Sequence, residues 1–141
     1  MIEVSNFTKA YGDTLAVNDL TFTVQSGEIL GLIGRNGAGK TTTMRAMSGI
    51  IPSCAGEFKV DGFSLKDAPL ALKQRTAYVA DDPRLFSDLS VEQHLKFQAS
   101  IYSVETPAEE ICKLLTIFEL ETKRHCAAST LSRGMRQKLA I

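Results

Sequence analysis

The sequence has no surplus of charge of either sign. Lys and Arg together number 16, as do Asp and Glu, so the net charge is zero over 141 residues. That balance argues against a general polyanion binder, and no nucleic acid is expected as a partner; a local anion site remains open. No apolar run approaches the length needed to cross a bilayer. The first residues, "MIEVSNFTK", show no basic segment followed by an apolar one, so no secretory leader is read there. Cysteine is scarce: Cys54, Cys112 and Cys126 are odd in number and far apart. They lack metal-ligand spacing and predict reduced thiols in a cytoplasmic protein. His94 and His125 are the only histidines, and each stands alone, as surface or helix residues do.

What is present is ordinary globular composition, with 44% hydrophobic residues and enough length for one domain with a real core. Strand patterns come first. "IEVSNFTKAY" and "LTFTV" alternate apolar and polar residues. "EILGLI", Glu28 to Ile33, is apolar on both sides, as a strand covered on both faces would be. "GEFKVDG" and "RTAYVA" read as further strands, and Lys40 to Ser48 as a helix stopped by Gly49 and Pro52. After Phe86 the period becomes helical. Ser90 with Gln93 forms a capping-box start, followed by the stripe Val91, Leu95, Gln98 and Ile101/Tyr102. Thr106-Pro107-Ala108-Glu109 opens another helix, whose buried face is Ile111, Leu114, Leu115 and Phe118. Strands followed by helices predict an α/β protein: a core over 1–86, a helical subdomain over 87–130 and a last segment, 131–141.

The most informative stretch is "GRNGAGKTT", Gly34 to Thr42. It fits G-x-x-x-x-G-K-[ST] between an apolar segment and a helix. The glycines let the backbone curl so that successive N–H groups face phosphate oxygens, and the helix offers its N-terminus to the same anion. Lys40 would reach the β- and γ-phosphates, and the Thr41 hydroxyl would bind Mg²⁺. Gly34, Asn36, Gly37, Ala38, Gly39, Lys40, Thr41 and Thr42 are therefore the candidate triphosphate-binding residues.

A second stretch, "TLSRGMRQKLAI", resembles the L-S-G-G-Q/M signature of ABC-type ATPases, with Arg133 where a glycine is usual. Read on its own, Ser132 is a plausible N-cap and Gly134 permits close approach, so this too is a phosphate-binding helix end. The resemblance runs from Met1 to Ile141. It implies a P-loop NTPase core of the ABC-ATPase kind, with N-terminal antiparallel strands and a helical subdomain, that binds Mg-ATP. It also implies that Tyr11 stacks on adenine with Val17 beside the ring, and that Ser132 and Gly134 meet the γ-phosphate held by a second ATPase subunit. The segment around "AYVADDP" resembles the family's Q-loop. There Asp81 replaces a glutamine, which leaves it open between a metal-linked role and a solvated turn acid. The family's next elements, an apolar strand ending in the Walker B Asp, a catalytic Glu and a switch His, do not occur before Ile141, and Asp13, Asp19 and Asp61 do not follow apolar strands. The expectation is an incomplete ATPase domain with no complete catalytic set. It would be the ATP-binding subunit of an export-type transporter, at the inner face of the membrane with transmembrane permease subunits. A non-catalytic nucleotide-binding remnant and a non-transport ABC ATPase are the alternatives.

Overall fold

The computed structural model describes residues 1–141, which form two compact units, Met1–Tyr78 and Val79–Ile141. The first contains β1 (Ile2–Tyr11), β2 (Thr14–Val24), α1 (Lys40–Met47), β3 (Ala55–Val60), β4 (Phe63–Ser64) and α2 (Pro69–Lys73). The strands make one antiparallel sheet in the order β2-β1-β3-β4. Strict alternation would put Val4 and Phe7 on opposite faces, yet both are buried. A register shift lies between them, with Asn6 at φ 50°. Side chains replace the missing ladder there: the Asn6 N–H donates to Thr21 Oγ1 at 2.9 Å, and the Asp19 N–H to Thr8 Oγ1 at 3.0 Å. The bulge turns Phe7 onto Phe58, with ring centroids 4.7 Å apart, and Ala46 of α1 closes this core.

The second unit contains α3 (Val91–Ile101), α4 (Pro107–Ile117) and α5 (Arg133–Ala140), with two 3-10 turns between α4 and α5. Val91, Ile111, Leu115, Leu120 and Leu131 form its core. Both bonds of the Ser90–Gln93 capping box are present. At α4, Thr106 makes no side-chain cap, and Leu114 stays 36% exposed while Ile111 and Leu115 are buried. Glu92 is almost buried and accepts from Arg124 at 3.0 Å. Arg124 first, then Lys96, hold its carboxyl at about 2. His94 lies on α3 and is buried: Nε2 accepts the Phe86 N–H at 2.9 Å, with Nδ1 3.1 Å from Ser90 O. Those contacts give it a structural role in the neutral, Nδ1-protonated form.

Two expected strands do not form. Glu28–Ile33 and Arg75–Ala80 have no ladder. Ile29 and Ile33 are 99% and 98% exposed instead of covered on both faces. An apolar segment becomes a strand only when another backbone pairs with it, and no segment within residues 1–141 does so here. Cys54, Cys112 and Cys126 are free thiols. No helix is long and apolar enough to cross a membrane.

Candidate nucleotide-binding site

The loop from Gly34 to Gly39 leads straight into α1. Gly39 occupies the N-cap position at φ 84°, and a Cβ there would lie 2.6 Å from both Ala16 O and Val17 Cγ2 of β2. Only glycine fits a left-handed backbone so close to a neighbouring strand. Glycine has no side chain to cap the helix. The first intrahelical bond is Thr43 N to Gly39 O at 2.8 Å, so the N–H groups of Lys40, Thr41 and Thr42 have no backbone or side-chain acceptor. No acidic residue stands in the first turn to answer their partial positive charge. These unpaired donors at the positive end of a helix are suited to bind an anion.

Lys40 folds back over the loop, where its Nζ donates to Gly34 O at 2.6 Å and to Arg35 O at 2.9 Å. The ammonium is thus held where the loop's own carbonyls are its temporary partners. The loop turn is closed by Ala38 N to Arg35 O at 3.1 Å, and Gly34, Asn36, Gly37 and Ala38 are exposed around it. The Thr41 hydroxyl is exposed and makes no hydrogen bond, so it is available to a metal–phosphate complex. Mg²⁺ is usually held by one or two protein oxygens together with substrate phosphates. The Thr41 oxygen suits that role, and no cluster of three or more acids, histidines or cysteines offers a protein-only cage.

Val17 is packed against Gly39, and the hairpin ends at Tyr11, whose ring is half exposed. The structure thus places Val17 against Gly39 of the loop, with Tyr11 farther along the same hairpin in the first unit.

The remaining candidates, Asp81, Ser132 and Gly134, lie in the second unit. Ser132 caps α5: its Oγ accepts the Met135 N–H at 3.3 Å. A Cβ on Gly134 would meet nothing within 4 Å, so this unit's packing does not require glycine there. Asp81 accepts from Arg133 Nη2 at 2.6 Å, and Gln137 Nε2 reaches Ala80 O at 3.5 Å beside it. The two residues that depart from the resembled pattern are thus paired with each other. Their positions, 52 residues apart, gave no local signal of this. Reading motifs singly also missed Lys9, a largely buried lysine whose ammonium lies beside the Tyr11 ring.

Comparison with known proteins agrees with this geometry. The family model described as ABC transporter matches residues 17–141. The chain is 36% identical over 143 aligned positions to the "Probable multidrug ABC transporter ATP-binding protein YbhF" of Escherichia coli (strain K12), covering all of this chain and 25% of that protein. It is 32% identical to the "SkfA peptide export ATP-binding protein SkfE" of Bacillus subtilis (strain 168), covering all of this chain and 59% of that protein. A solved structure described as "Structure of ATP binding subunit of ABC transporter" superposes with a TM-score of 0.86 at 32% identity, covering 99% of this chain and 59% of that one. The chain thus spans between a quarter and three fifths of these relatives' lengths.

Proposed function

The chain belongs to the ABC transporter family, and from that premise we propose that it binds Mg-ATP as part of a transporter's ATP-binding subunit, with export as the direction of transport. The observation that carries the reading is the open end of α1: three unpaired N–H groups, no cap, no acid, and the Lys40 ammonium resting on loop carbonyls. The export direction is supported by relatives whose names specify multidrug transport and peptide export. Transmembrane permease subunits and a second ATPase subunit are the proposed partners. The second subunit's triphosphate would meet the helix end at Ser132 and Gly134.

In this reading the α1 amides and Lys40 take the phosphate oxygens, and Thr41 supplies an oxygen to Mg²⁺. The bound metal neutralises charge on the β- and γ-phosphates. Asp81 is engaged by Arg133 through Oδ1, which leaves Oδ2 of its exposed carboxylate for a metal. The family generally hydrolyses ATP. Residues 1–141 alone are expected to bind it without significant turnover, because no apolar strand ending in Asp supplies a metal-side acid within them.

Calorimetry with Mg-ATP tests the reading through Lys40→Ala. Loss of a charge-assisted donor to phosphate should weaken binding by roughly 2–5 kcal/mol, the range for truncating one partner of a close charge pair. Equal affinity in the variant and the parent would overturn the phosphate assignment.

A further inference from the structure

Lys9 lies on the inward face of β1, two residues beyond Phe7 of the core and two before Tyr11. It is 9% exposed, which is unusual for lysine. No carboxylate, carbonyl or hydroxyl takes its ammonium within hydrogen-bonding or ion-pairing distance. The neighbour the ammonium does have is the Tyr11 ring, with Nζ 5.1 Å from the ring centroid. Across the ladder Lys9 pairs with Val17, the residue packed on Gly39 at the start of α1. A lysine whose stem is buried, a half-exposed aromatic ring and the phosphate loop are therefore linked through Lys9, Val17 and Gly39.

We propose that Lys9 is a positioning residue for base recognition, covering one face of Tyr11 with its ammonium and presenting the other to the adenine of bound nucleotide. The stem is buried with the core, which fixes the height of the charge above the ring. The cation is attracted to the electron-rich ring face and holds the ring in one orientation, so less freedom is lost when the base arrives. An ammonium on one face also draws electron density from the ring and favours stacking of an electron-rich purine on the other. This inference rests on the Mg-ATP reading above and adds a residue to it.

The test is calorimetry on the full chain with two ligands, Mg-ATP and Mg-tripolyphosphate, the second carrying phosphates but no base. Lys9→Met keeps the stem and removes the charge. It should weaken ATP about two- to fivefold, the range of one cation–π contact, and leave tripolyphosphate unchanged. Lys9→Arg should restore ATP binding, and Lys9→Met should add nothing in a Tyr11→Leu background. Unchanged tripolyphosphate affinity shows that the variant is folded with its phosphate loop intact. The proposal is overturned if Lys9→Met leaves ATP binding untouched while Lys40→Ala weakens both ligands. It is equally overturned if Lys9→Met weakens both ligands to the same extent, because the charge would then act on the phosphates or the fold. If Lys40→Ala changes neither ligand, the phosphate-loop reading itself has failed and this inference falls with it.

Discussion

Two eight-residue helices in this chain begin in opposite ways. At α1 the N-cap is Gly39, which has nothing to cap with, and three amides are left unpaired. At α5 the N-cap is Ser132, which accepts the Met135 N–H, and Arg133 of the first turn is paired with Asp81. Both helices carry the same partial positive charge at that end, because it comes from the peptide dipoles. They differ in who answers it. At α5 a side chain answers one amide, that of Met135, while at α1 no side chain answers any. The lesson is that an anion-binding helix end is recognised by missing caps as much as by a glycine motif.

The sharpest way to break the α1 side of that contrast is Gly39→Ala. The added methyl would sit 2.6 Å from Ala16 O and Val17 Cγ2, on a backbone at φ 84°. Either β2 or the loop must move, and overpacking together with left-handed strain should cost about 2–5 kcal/mol of stability. Denaturant melts of the parent and variant measure it. A loss below about 1 kcal/mol would mean that the hairpin yields easily and does not hold the loop.

A smaller effect is expected on the α5 side. Ser132→Ala removes the one side-chain cap and should destabilise the second unit by about 0.5–2 kcal/mol. The same melts report it. Ser132→Asp should recover most of the loss, since Asp is an equally good cap. No recovery would mean that the serine is held for something other than the Met135 amide.

Much of this was legible in the sequence where the signal is local. Gly49 and Pro52 mark the end of α1, which stops at Met47, and the Ser90–Gln93 pair predicts two bonds that are both present. Ser132 caps as its position before α5 suggests. Illegible features depend on residues distant in sequence. The composition of Glu28–Ile33 states a preference for burial, but a ladder needs a second backbone and none pairs with it. The bulge at Asn6 rests on Thr21 and Asp19 of another strand, so alternation alone misplaces Val4 relative to Phe7. Lys9 reads as a polar position in an alternating strand, and only the folded register shows that it faces inward beside Tyr11.

The smallest expected effect concerns the Arg133–Asp81 pair, and it decides how tightly the start of α5 is closed. Its bond is short, 2.6 Å, but Arg133 and Asp81 side chains are 65% and 89% exposed. Exposure decides the energy: water and salt screen the attraction, and two mobile side chains lose freedom to make it. Such pairs typically contribute about 0.2–1 kcal/mol. A double-mutant cycle with Arg133→Ala and Asp81→Ala, read by denaturation of the chain, should give a coupling in that range at physiological salt. It should fade at about 1 M salt, where the screening length falls to about 3 Å. Little then holds Arg133, and the guanidinium is free to leave Asp81 for a more highly charged anion such as a triphosphate. A coupling above about 1.5 kcal/mol that persists in high salt would break the contrast in the other direction, because the bond would be stronger than exposed geometry permits. The start of α5 would then be locked by its own ion pair, and Arg133 could meet an incoming phosphate only after that pair had been broken.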